Sequence, residues 1–152
     1  MNRTKFLFIL SLTFLFFINP LSAQDRPQPP PVSIEFELLN TPHTGEDAEI
    51  LLRVTPEEDM HLDIGVLIPL KVAVEKGEFI ITPYKEPDPA KMPERNLFRK
   101  RIVFYAGEIT ALQTKEFTFK IKISDNLKHI LLAHIVAQQK WGEAEKSLEI
   151  NL

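Results

Sequence analysis

The chain of 152 residues has no cysteine. That excludes any disulfide and any thiol chemistry of its own. Glycine is scarce, with five residues, and nowhere do they cluster into a loop able to cradle phosphate. Ser33, Ser124 and Ser147 sit in no G-x-S-x-G elbow, which argues against a serine hydrolase. The four histidines, His43, His61, His129 and His134, lack the short paired spacing of zinc ligands, and no thiol can complete such a site. They read as structural, with no metal and no cofactor expected. The carboxylates at Glu46-Asp47 and Glu57-Glu58-Asp59, with Asp63 beyond, lack the spacing and glycine of a calcium loop and read as solvated turns. Long apolar runs are missing too. Phe6 to Ile18 falls short of the roughly 20 residues a bilayer-spanning helix needs.

That short run has a different meaning. Arg3 and Lys5 precede it and Leu21-Ser22-Ala23 comes after it. A basic start, an apolar centre and small residues at the end are the parts of a cleaved export signal, here residues 1–23. No cysteine stands next to carry a lipid anchor, so no membrane span is expected after cleavage. The expected location is the periplasm or the outside of the cell. The whole chain carries a formal net charge of −3, and loss of Arg3 and Lys5 makes the remainder more acidic. That balance argues against nucleic acid or an anionic membrane surface as the main partner. The remaining chain is enough for one domain with a sizeable core. Residues 24–31, QDRPQPPP, form a proline-rich leader expected to be extended and semi-rigid.

From Val32 onward the period is two. Ile34, Phe36 and Leu38 alternate with Ser33, Glu35 and Glu37. Ala48, Ile50, Leu52 and Val54 form a second such row, and Phe117, Phe119, Ile121 and Ile123 alternate with Thr118, Lys120 and Lys122. Successive side chains of a strand point to opposite faces, so each row gives one face to a core and one to water. Further strands are expected over Met60–Ile68, Leu70–Val74, Phe98–Tyr105, Ile130–Gln139 and Ala144–Leu152, punctuated by Pro56, Pro69, Gly77, Gly107, Asn126 and Gly142. Helical spacing is scarce. The one arguable segment, Asp125 to Ala137, holds β-branched residues that suit a strand better. Many short strands without alternating helices predict an all-β antiparallel sandwich.

Thr82 to Asn96 breaks the pattern. Prolines 83, 87, 89 and 93 deny it a central strand, so it is expected to be a long surface excursion, and Pro83 to Pro93 is a candidate contact loop. It runs into Arg95, Arg99, Lys100 and Arg101, a basic stretch that suits either an acidic partner or, more simply, a charged strand edge guarded against mispairing. His129 and His134 stand five apart and should point to opposite faces of their strand.

Four stretches in order, Met60 to Val74, Pro83 to Pro87, Val103 to Ile109 and Ile135 to Ala144, together resemble the periplasmic N-terminal domain of the thiol:disulfide interchange protein DsbD family. His61 and Ile68-Pro69 match the His-led strand and its Ile-Pro step, and Tyr84 to Pro87 the Tyr-Pro-type segment. Tyr105 to Glu108 matches the Tyr-x-Gly-Glu hairpin. The closing motif, Tyr-Gln-x-Cys and a second Cys shortly after it, falls on Ala137-Gln138-Gln139-Lys140 and the residues up to Ala144 or Glu145. The resemblance covers residues 32–152 and implies an immunoglobulin-like β-sandwich. It also implies where the activity would lie, and there the chain departs from the family. Lys140 replaces the first cysteine, and an amine cannot exchange with a disulfide.

The expected protein is therefore an exported, non-catalytic protein-interaction domain, with no enzyme activity. The expected partner is another envelope protein, of thioredoxin-like or DsbD-type character on the strength of the resemblance. The expected contact surface comprises Tyr105, Gln139, Lys140 and Trp141. A small-ligand or metal-binding carrier and a structural or adhesive subunit are the alternatives.

Overall fold

A computed structural model of the chain describes residues 27–137 and 141–151. The residues expected to form the export signal, residues 24–26 of the leader, Gln138 to Lys140 and Leu152 lie outside them. The elements are β1 (Val32–Leu38), β2 (Asp47–Pro56), β3 (Met60–Pro69), β4 (Val72–Val74), β5 (Ile80–Pro83), a 3-10 turn (Pro93–Leu97), β6 (Phe98–Ile109), β7 (Lys115–Ile123), β8 (His129–Ala137) and β9 (Glu143–Ile150). No helix among the described residues is long and apolar enough to cross a membrane.

The strands form two antiparallel sheets, ordered β1-β2-β7-β4 and β5-β6-β3-β8-β9. This is an immunoglobulin-like β-sandwich. The outer strands sit where A-B-E-D and G-F-C-C′-C″ of a variable-type domain would. The middle of the chain is traced in the opposite sense. After β3 the chain first fills the edge beside β7 with β4, then returns through β5 and β6.

Alternation in the sequence becomes alternation in burial. Ile50, Leu52 and Val54 of β2 face Leu62, Ile64, Val66 and Ile68 of β3, Ile102 and Phe104 of β6, Phe119, Ile121 and Ile123 of β7, and Leu131, Ala133 and Ile135 of β8. Phe104 links the layers. Its ring centroid lies 4.8 Å from that of Phe117 and 5.9 Å from that of Phe119 on the opposite sheet, and 5.7 Å from that of Phe79. Such offset and edge-on pairs each add about 1 kcal/mol beyond the area they bury. On the outer face of the four-stranded sheet, Arg53 lies between Glu37 (2.7 Å) and Glu116 (2.8 Å), a cross-strand charge row in contact with water.

The leader is bound rather than free over its last residues. Gln28 O accepts from Gly142 N at 2.7 Å and Pro31 O from Glu57 N at 2.9 Å. The basic run also differs from the expected charged edge. β6 is paired on both sides because Ile80–Pro83 adds an outer strand to it. A proline ends that short strand without harming the ladder, since an edge position needs no donor on its outer side.

Candidate functional site

The outer face of the five-stranded sheet carries the polar structure. On β3, Gly65 and Leu67 point away from the sandwich core yet are buried. The chain between β5 and β6 crosses above them. Tyr84 N bonds to Arg99 O on β6 at 2.8 Å, whereas Arg95, at the far end of the excursion, reaches β9. The proline-rich segment expected to be a surface loop is thus folded down as a cover, and two of its charged residues, Glu86 and Arg95, are buried.

Their burial is compensated by a network. Arg95 Nη2 donates to Glu143 Oε2 (3.1 Å) and to Glu145 Oε1, and Nη1 lies 3.7 Å from Glu86 Oε2. Glu86 also accepts from the Tyr84 hydroxyl at 2.5 Å and from Asp88 N at 3.2 Å. β8 adds His134, whose Nε2 lies 2.9 Å from Glu143 Oε2 but out of line for a hydrogen bond. The strands bring these groups together by register. His134 is paired with Glu145, and Val136 with Glu143, so the two glutamates and the histidine share the outer face.

The electrostatics are set by these contacts. The Tyr84 hydroxyl and then the Asp88 amide hold the Glu86 carboxyl below its usual value against the cost of burial, and Arg95 adds to the effect. Burial works to raise Glu143, but His134 and Arg95 outweigh it, so that carboxyl too is lowered. Burial opposes the charge on Arg95, and the Glu143 and Glu145 carboxylates more than restore it. Loss of water and the Glu86 contact push the Tyr84 phenol up. Glu86 and Glu143 thus keep their charge in a half-dry setting because one guanidinium and the short donors favour the ionised form.

Of the expected contact residues, Tyr105 and Trp141 lie near one end of the same sheet. Tyr105 is 75% exposed, on β6 beside the register shift between Leu62 and Ile64. It borders an open groove of about 490 Å³ with His61, Asp63, Val103 and Gly107. Gly107 has φ +65°, a left-handed conformation that suits glycine and bends β6 here. Trp141 is half-buried and packs against the core, at the β8–β9 corner. β3 separates that corner's strand from β6. Gln139 and Lys140 lie outside the described residues. His129 points inward and bonds Asp125 at 2.6 Å, while His134 points outward, as their spacing requires.

Sequence reading missed the Arg95 network. Its one visible sign was Glu143-x-Glu145, two acids placed on one face of a strand. Nothing local ties them to Arg95, 48 positions before Glu143.

No family model matches the chain, and no curated protein matches it. Solved structures do. The Streptococcus suis adhesion Fhb aligns with 12% identity over 79% of this chain and 88% of its own, with a TM-score of 0.53. The same adhesin bound to the disaccharide receptor Gb2 aligns with 11% identity over the same shares, at 0.51. A conjugative transposon lipoprotein from Bacteroides eggerthii aligns with 12% identity over 80% of this chain and 98% of its own, at 0.43. What the two adhesin structures share with this chain, at these identities, is the fold. The class to which the chain belongs by fold is the immunoglobulin-like β-sandwich.

Proposed function

We propose that the chain is an exported, non-catalytic domain that binds another envelope protein through the Tyr105 end of its five-stranded sheet. Its sequence motifs resemble the DsbD N-terminal module, but without the two thiols electron transfer of that kind cannot run. The observation that carries the proposal is the Tyr105 ring, 75% exposed over a groove where Gly107 and Ala106 leave room beside it. A rigid, amphipathic ring gives large contact area at small entropic cost, and such residues dominate binding energy in protein interfaces. The excursion on the same face is held to the sheet by the ion pairs of Arg95, which limits its rearrangement on binding.

A glycan is the second reading. It is favoured by the carboxylates of Asp63 and Glu108 and by His61, none of which has a side-chain hydrogen bond among the described residues. The adhesin of like fold has been solved bound to a disaccharide receptor.

A photo-reactive amino acid placed at Tyr105, and at Thr118 on the outer face of the other sheet, tests the proposal in cells making the protein. A discrete protein adduct from position 105 and none from 118 is the expected outcome. Adducts from both positions alike, or from neither, dismiss the groove as a protein-binding surface. Glycan capture by the purified domain that is lost on Tyr105→Ala would favour the second reading.

A further inference from the structure

The charge around Arg95 does not balance. Three carboxylates, Glu86, Glu143 and Glu145, share one ion-paired guanidinium among the described residues. Arg101 lies across Gly65 on the same face but makes no ion pair there. His134 is buried, and neither of its ring nitrogens has a well-aligned hydrogen bond, although Nε2 lies 2.9 Å from the Glu143 carboxylate. Burial thus leaves Nδ1 without a hydrogen bond and Nε2 with only a misaligned electrostatic contact in place of water.

One ligand answers both deficits. His134, Glu143 and Glu145 each offer a donor atom, and these atoms lie within 4.8 Å of one another. We infer that these three side chains form a binding site for a divalent transition-metal ion of the imidazole-binding kind, with Zn2+ the best fit. Imidazole nitrogen and carboxylate oxygen are both zinc ligands, and three protein ligands leave a fourth position open to water or to a partner's side chain. The ion's two charges match the excess that Arg95 leaves. Room for it requires Arg95 Nη2 to withdraw from between Glu143 and Glu145. Glu86 offers the place for it, since Nη1 already lies 3.7 Å from that carboxylate. Arg95 is therefore the occupant of the site without metal and a buttress of Glu86 with it. This site is separate from the Tyr105 groove and does not depend on the proposed partner.

The hairpin register is what makes the site. Glu143 and Glu145 stand two apart on β9, and His134 is directly across from Glu145 on β8. Both strands are anchored by core residues on their inner faces, Leu131 and Ile135 on one and Ile150 on the other. The ligand positions are therefore fixed before a metal arrives.

Titration of the chelator-stripped protein with zinc chloride in a calorimeter, at neutral pH, tests the inference. One zinc bound per chain is expected. His134→Gln, which keeps the side-chain size, and Glu145→Gln, which removes one negative charge, are each expected to weaken binding at least about tenfold, and Glu149→Gln, whose carboxylate pairs with Lys128 away from the site, to leave it unchanged. Circular dichroism shows whether each variant is folded. Zinc should also raise the melting temperature of the wild type and of Glu149→Gln but not of His134→Gln. Binding should weaken in acid, because the ligand atoms must be unprotonated to hold the ion. No zinc bound by the wild type overturns the inference. So does binding that survives intact in folded His134→Gln and Glu145→Gln.

Discussion

Replacing Arg95 with methionine is the most direct test of what holds the excursion to the sheet. The guanidinium side chain is 8% exposed and Glu86 is 2% exposed, while Glu143 and Glu145 keep 44% and 35% of their exposure. Removal of the cation therefore does different things to its partners. Glu143 and Glu145 can take water in its place. Glu86 cannot, and retains only the Tyr84 hydroxyl and the Asp88 amide. Breaking a buried pair by deleting one member costs about 3–5 kcal/mol. The two donors left on Glu86 and the rehydration of the others place Arg95→Met at the lower end, about 3 kcal/mol, or on the order of 10 °C in melting temperature. The loss has a pH signature. Glu86 and Glu143 have folded-state values below their ordinary 4.5. The stability they contribute is present above that ordinary value and is lost as pH falls through the lowered folded value. Arg95 supplies part of the lowering, so the gap between wild type and Arg95→Met should be widest at neutral pH and should narrow as the carboxylates protonate. Urea unfolding monitored by the fluorescence of the single tryptophan, Trp141, at neutral pH and at pH about 3.5, measures both quantities. A loss below about 1 kcal/mol, or a gap that does not change with pH, would refute the claim that this ion network is the anchor.

Three further outcomes are expected from the same structure. Ile64→Ala, at a core position with no exposure, should cost about 3–4 kcal/mol in denaturant unfolding, since the surrounding strands are too constrained to close the cavity. Gly65→Ala would place a Cβ 2.3 Å from Arg101 Nε and should cost about 1–3 kcal/mol. The double change with Arg101→Ala should recover most of that loss, and additive losses would mean that the close approach is not its cause. Leu112 is exposed with φ +61°, so Leu112→Gly should stabilise the protein by about 1 kcal/mol in a thermal melt. No gain would show that the turn relaxes at no cost.

Much of the fold was legible because strand alternation is local. Ile34 to Leu38, Ala48 to Val54 and Phe117 to Ile123 each divide into two faces on their own, and the inner faces found one another as expected. β6 was legible only as far as Tyr105, because Gly107 and the register shift carry it on to Ile109 past the point where alternation fails. Of the expected contact residues, Tyr105 is exposed on the sheet, and Trp141 is half spent on the core.

The amino-acid order alone determined that the chain is a stack of antiparallel strands, that it holds no thiol, and that residues 82–96 cannot be a central strand. A residue's neighbours in sequence report only which of its faces is apolar. Which strand lies beside which was left to the pairing of nine elements, and β4, β5 and β6 fill their places in an order no local pattern encodes. The same holds for Arg95, Glu86, His134, Glu143 and Glu145. Each is an ordinary polar residue in its own segment. They become one cluster only because the hydrophobic core fixes β8 and β9 in register, and because the excursion, once laid down, buries Glu86 and Arg95 and has to bring those charges to partners.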